Sequence, residues 1–282
     1  MKKCIFLSIF FLFYSILFAQ TNIEQKYLLT TQTNTFGLTT IGLLDPYLSP
    51  MTYTGAGVEY NYDGRRYFSA QNTKLSMNSK MNMICGLALN PAATASMTYM
   101  GMTYGWGMHY HFHIQEDFRI LAGGLWDVDF GFKDISRNVN NPVNIDLATN
   151  LNLSMLAIYD IPFWRRVMQL QLAVQSPVLG CMFVPQGGAS YYEMFELGNL
   201  KNTSHFSSLY NKQGLKWTLS LDFPFNHSVL RLGLSSNELK YSANDMVFNR
   251  NEYSFLIGTT FDVATFAGRK NKAPKNFLST NE

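Results

Sequence analysis

Cysteine is almost missing from this chain, with three in 282 residues. Cys4 stands too early to be a lipoprotein attachment site, which leaves Cys85 and Cys181. Two cysteines in so long a chain make no disulfide framework, and both read as small apolar side chains. Charge is scarce too. Asp, Glu, Lys and Arg make up 15% of the residues, against about 25% in ordinary soluble domains. The balance of 22 Lys+Arg against 19 Asp+Glu, a formal +3, supplies no field of one sign and excludes nucleic acid as a partner. Beyond residue 19 no uncharged apolar run approaches the roughly 18 residues of a membrane-spanning helix. Aromatic residues, by contrast, reach 15%, far too many for a disordered polar chain.

The one long apolar run is at the start. Met1-Lys2-Lys3 is a positive head, Cys4 to Phe18 is apolar, and Ala19 offers a small residue before Gln20. This is the pattern of a secretory signal peptide, expected over residues 1–19 and cleaved. A short N-terminal segment, 20–34, is then expected to lie in the periplasm.

From Ala56 onward the chain alternates with period two. Between Met100 and Ile114 the even positions are Met100, Met102, Tyr104, Trp106, Met108, Tyr110, Phe112 and Ile114, whereas the odd ones are only Gly, Thr and His. No helix of 3.6-residue period sorts its side chains that way. Further alternating runs contain Trp126, Val128 and Phe130; Leu151, Leu153 and Met155; Trp217, Leu219 and Leu221; and Tyr253, Phe255 and Ile257. A soluble sandwich alternates as well, but with shorter strands and a solvent face rich in Lys, Glu and Thr. Here the second face holds Gly, Ser, Asn and His with isolated charges: Glu59, Lys80, Arg119, Asp127, Asp129, Asp146, Lys216, Asp222, Arg231 and Asp262. Small residues leaving room for paired charges suit the inside of a narrow barrel whose other face meets lipid. The fold expected is all-β: a transmembrane, antiparallel, up-and-down β-barrel over residues 35–266, with a polar periplasmic tail over 267–282.

The connections set the strand count. Tight turns are expected at Gln115–Asp117, Asp160–Arg165 and Pro224–Asn226, alternating with longer loops at Lys133–Asn144, Pro185–Lys212 and Ser242–Asn251. Short turns face the periplasm in such barrels and long loops face outside. Continued backward, the alternation puts a turn at Asp63–Arg66, a loop at Asn90–Ala95 and a first strand near Thr35–Leu44, giving ten strands within a range of 8 to 12. Aromatic rings are expected to gather at the periplasmic interface, among them Tyr67, Phe68, Phe112, Phe118, Tyr159, Phe163, Trp164, Phe225 and Phe266.

Parity fixes the hairpin around Glu116. Ile114 opposite Phe118 sets His113 beside Arg119, Gly105 beside Asp127 and Thr103 beside Asp129. Lys80, Arg231 and Lys216 are the candidate cations for the acidic pair. His109, His111 and His113 share one strand face, but two-residue spacing sets neighbours about 7 Å apart and no Cys or carboxylate motif accompanies them, so no metal is expected. No Ser carries a nucleophile motif, so no catalytic residue, enzymatic activity or cofactor is assigned. The outside loop 185–212, with Tyr191, Tyr192, Phe195, His205, Phe206 and Tyr210, either binds an extracellular ligand or folds over the mouth.

The ending Phe18-Ala19-Gln20, the segment Tyr47-Leu48-Ser49-Pro50 with Tyr53-Thr54-Gly55, and the Gly/aromatic hairpins resemble an uncharacterised family of outer-membrane proteins from Bacteroidetes-type Gram-negative bacteria. The resemblance implies an outer-membrane barrel in contact with its lipids and transfers no site residues. The function expected is a structural or surface-binding barrel with a filled polar lumen. Its rivals are a narrow pore for small solutes and a lipid-modifying enzyme.

Overall fold

The computed structural model describes residues 27–135, 142–163, 166–225, 228–264 and 277–280. The expected signal peptide, Trp164 and Phe266 lie outside them.

The alternation is realised as one closed sheet. Its strands are β1 Tyr27–Asp45, β2 Ser49–Ser69, β3 Asn72–Leu89, β4 Ser96–Gln115, β5 Phe118–Asp134, β6 Val143–Phe163, β7 Arg166–Phe183, β8 Ser204–Ser208, β9 Lys212–Pro224, β10 Val229–Ala243 and β11 Met246–Ala264. Each pairs antiparallel with its neighbour in sequence, except that β8 and β9 both pair with β7, and β11 closes on β1. With β8 and β9 sharing one place in the wall, the barrel has the ten strands that the turn alternation implies. A two-residue strand, β12 Phe277–Leu278, runs parallel to the start of β1.

The shared place follows from Pro177, which has no N–H to donate to a ladder. The β7–β9 ladder stops at Gln175–Lys216, and β8 takes over from Leu179. On the other side of β7 the register with β6 shifts at the same level, between Leu151 and Asn152.

Outward faces are those of the period-two pattern. Met100, Met102, Tyr104, Trp106, Tyr110, Phe112 and Ile114 are all exposed, as are Trp126, Phe130, Leu151, Leu153, Leu219, Phe255 and Ile257. Cys85 and Cys181 are free thiols on this same exposed face. The strands outrun the apolar belt. A 19-residue strand is roughly 60 Å long and, at the usual tilt of about 40°, climbs some 45–50 Å, nearly twice a 25 Å lipid-facing band. Strand ends therefore stand clear of it.

That protrusion explains where the turns differ from expectation. Ser242–Asn251 is no long loop: β10 and β11 meet in a two-residue turn at Asn244 and Asp245, both at positive φ, the two-residue hairpin that Asn and Asp tolerate. Asp63–Arg66 is not a turn but part of β2, which continues to Ser69. Lys133 and Asn144 belong to strands, not to their connecting loop. The barrel wall begins at Tyr27 and so takes in residues 27–34, which were expected to precede it.

The β4–β5 register sets His113 beside Arg119, Gly105 beside Asp127 and Thr103 beside Asp129, as parity requires. Ile114 itself is bulged, so Gln115 and not Ile114 stands opposite Phe118. Of the expected aromatic ring, Phe68, Phe112, Tyr159, Phe163 and Phe225 are exposed at the turn end. Tyr67 instead is buried inside, 5.3 Å from the His111 ring, because its odd position points inward.

Candidate functional site

The interior divides into three levels. At the loop end, β1, β2, β4 and β11 point apolar side chains inward, and Ile41, Leu43, Tyr53, Met97, Tyr99 and Phe248 form a continuous core with Met182 and Val184. Beside it sits a closed charge lattice. Lys133 Nζ lies 2.8 Å from Asp45 Oδ2 and 2.7 Å from Asp146 Oδ2. Asn144 donates to Asp45 at 2.7 Å, the backbone N–H of Tyr47 donates to the other oxygen of Asp45 at 3.2 Å, and the Tyr241 hydroxyl donates to Asp146 at 3.0 Å. Every charge there has a partner of opposite sign and further hydrogen bonds, the condition under which buried charge is tolerated.

Over this core lies the connection 184–203, which carries α1 Tyr191–Phe195. Ser190 caps the helix, accepting from the Glu193 N–H while the Glu193 side chain accepts from the Ser190 N–H. The loop is tied down by aromatic hydroxyls. Tyr47 donates to the Ala189 carbonyl at 2.8 Å, and Tyr191 donates to Asn144 Oδ1 at 2.8 Å while accepting from the Ile145 N–H. Asn244 adds bonds to the carbonyls of Val184, Pro185 and Asn202, and Met194 is fully buried. Burial, and next the Asp45 carboxylate, push the Tyr47 phenol up to about 12. Tyr191 is raised further, chiefly by burial. In the structure loop 185–212 folds over the mouth as a lid. Its outer side exposes Tyr192, Phe195, Leu197 and Leu200, and Tyr210 is 95% exposed where the chain steps round Pro177.

At the middle level is a polar cavity of about 170 Å³. Asp127 accepts from Asn150 at 2.8 Å, Asn152 at 2.7 Å and Gln175 at 3.2 Å. Asp129 accepts from Thr103 at 2.6 Å and from Asn150 at 2.9 Å. Asn150 in turn accepts from Lys212 Nζ at 2.7 Å. Gly105 stands opposite Asp127, where a Cβ would lie 3.4 Å from that of Asp127, in ordinary contact.

None of the three expected cations pairs with the acidic couple. Arg231 makes a two-pronged contact with Asp222, both prongs at 2.6 Å, Lys80 is 3.8 Å from Asp63, and Lys216 has no ion pair or hydrogen bond among the described residues. The cation is Lys212, acting through Asn150. Asn150 and Asn152 were findable, because Leu151 and Leu153 point outward on the same strand. Lys212 was not, since it read as the end of a loop.

The three histidines do not converge. His109 Nε2 is 3.0 Å from Ser154 Oγ, two strands away, with its ring crossing above Gly123. Gly123 is needed there: a Cβ would fall 1.9 Å from the Met108 carbonyl oxygen. His111 Nε2 is 2.7 Å from Ser76 Oγ, and His113 is exposed at the turn end. Neither His–Ser pair has a carboxylate hydrogen-bonded to its ring among the described residues, and a triad requires one. No group of three His, Cys, Asp or Glu is placed to hold a metal among those residues.

The lowest level is closed by Leu121, Leu156 and Ile158, and by the end of the chain. Thr280 donates to Thr31 at 3.0 Å, and Ser279 and Thr280 are buried in the mouth.

The fold and its interior thus define a ten-stranded, up-and-down β-barrel, apolar outside, closed at one end by a folded lid and polar at its centre. Residues 5–270 match the family described as "Protein of unknown function (DUF3316)", and the chain belongs to that family. A search of curated proteins found no match. Among solved structures the chain is similar to the translocator domain of autotransporter NalP from Neisseria meningitidis (10% identity, 85% of this chain and 90% of that one, TM-score 0.47). It is also similar to the transport unit of the autotransporter AIDA-I from Escherichia coli (11%, 89% and 94%, 0.43) and to Ail, the attachment invasion locus protein of Yersinia pestis (11%, 84% and 100%, 0.29).

Proposed function

We propose that this chain is an outer-membrane barrel of a Gram-negative bacterium, exported with a cleaved signal peptide, that works as a structural or surface-binding component and not as an open pore. The exposed apolar belt supports the location, since ten strands surrounded by Met, Leu, Phe, Tyr and Trp need lipid to cover them. The observation that carries the closed reading is the Lys133–Asp45–Asp146 lattice packed under the lid, because it fills the lumen where a conducting path would run. The exposed Tyr192, Phe195, Leu197 and Leu200 on the outer side of the lid favour contact with an extracellular ligand through loop 185–212.

Planar-bilayer recording of the purified chain tests this. A closed barrel gives no stepwise current, and stable unitary conductance refutes the reading. Gel mobility of the unboiled membrane fraction tests the location: an intact barrel runs apart from the boiled chain and is absent from the soluble periplasm.

A further inference from the structure

The two walls of the central cavity differ in a way that the closed-barrel reading does not use. On the acidic wall Asp127 and Asp129 are covered by Asn150, Asn152, Gln175 and Thr103, with Lys212 behind them. The carboxylates there have the donors they need, and nothing calls for a cationic ligand.

Across the cavity donors outnumber acceptors. Arg65 and Lys80 share one carboxylate, Asp63, at 3.5 and 3.8 Å, ion-pair distances beyond good hydrogen-bond length. Lys216 also lines the cavity, from β9, where it stands opposite Gln175 in the ladder. Arg231 is already taken up by Asp222. Arg65 is 8% exposed and its Nε has no hydrogen-bond partner among the described residues, and the His109 ring also lines the cavity. Water in the cavity can solvate Lys80 and Lys216, but it does not neutralise two cations that share a single carboxylate and a third that has none among the described residues. An anion does both.

We propose that this cavity is a binding site for a small oxyanion, a carboxylate or a phosphate, seated between Arg65, Lys80 and Lys216. The volume of about 170 Å³ suits such an ion with a few waters. Asp63 occupies part of the same cationic field and competes with the ligand for it. That competition separates this site from general attraction to a basic surface, since removing Asp63 strengthens binding by the ligand.

The test is calorimetric titration of the full chain in detergent with inorganic phosphate, and separately with acetate, at low chloride. The expected result is saturable binding of one anion per chain, weakened about tenfold by Lys216→Gln, strengthened by Asp63→Asn and unchanged by Lys201→Gln on the exposed lid. The better of the two anions identifies the ligand class. Heat-modifiable gel mobility verifies folding of each variant, and Lys80→Gln replaces Lys216→Gln if the latter does not fold. Absence of saturable binding of both anions overturns the proposal. So does a loss shared equally by Lys201→Gln, or weaker binding in Asp63→Asn. A failure here leaves the closed barrel untouched, because conductance and anion binding are read separately.

Discussion

The lattice under the lid and the cavity below it are both built from charges on inward-facing strand positions, yet they are finished differently. Under the lid one lysine meets two carboxylates at 2.7–2.8 Å, and each carboxylate takes further donors. In the cavity Arg65 and Lys80 meet one carboxylate at 3.5 and 3.8 Å, and Lys216 meets none among the described residues. Fully paired charge rigidifies and closes, whereas underpaired charge beside open space is poised for something else. The same contrast separates a structural from a functional use of polar residues inside one barrel.

The sharpest way to break the comparison is to remove the lysine at each level. Lys133→Met strands Asp45 and Asp146, and its expected cost is about 3–5 kcal/mol. Lys216→Met strands nothing and is expected to leave stability within about 0.5 kcal/mol. Urea unfolding followed by gel mobility reads both, and equal costs would erase the distinction between the levels. A change outside the lumen calibrates the scale. Leu219→Arg places a charge on the exposed belt and is expected to cost about 2–4 kcal/mol, against almost nothing for Asn249→Arg near the loop-end tip, measured by refolding into lipid vesicles.

Asn150 tests the acidic wall. Its amide reaches both carboxylates and its carbonyl oxygen holds Lys212, so Asn150→Leu is expected to cost about 1.5–3 kcal/mol through hydrogen bonds to charged groups. Gln213→Leu, on an exposed position of β9, should do far less.

The smallest effect concerns the lid. Tyr47→Phe deletes one hydrogen bond to Ala189, about 1 kcal/mol, and should speed proteolysis within 185–203. The phenol of Tyr47 is held up near 12, against about 10 when free, so the closed lid keeps a proton that the open lid loses. Lid closure is therefore at full strength below pH 10 and weakens as pH rises from 10 toward 12. In Tyr47→Phe the pH dependence of lid proteolysis in that range should shrink, Tyr191 supplying the remainder.

Much of this is legible in the sequence alone. The alternation from Met100 to Ile114 placed seven exposed side chains on the outer face, and parity placed Gly105 opposite Asp127 and Thr103 opposite Asp129. The failures lie where strands leave the lipid-facing band. Asp63–Arg66 carries three charged residues and a glycine and Ser242–Asn251 is rich in Ser, Asn and Asp, so a reader of hydrophobic period takes them for turns although the ladder continues through them. Lys133 and Lys212 escape a reading of the sequence for a like reason, since each stands at the border of a stretch that looks like a loop.

Which face of each strand is apolar, and how many strands there are, was therefore set by the order of residues, because a period of two is a local property that survives any tertiary arrangement. Which lysine answers which aspartate was not. That depends on the slant and closure of the sheet, which bring Lys212 to Asn150, 62 positions apart in the chain, and leave Lys216 without a partner among the described residues. Distances across a lumen are fixed only when the last strand meets the first.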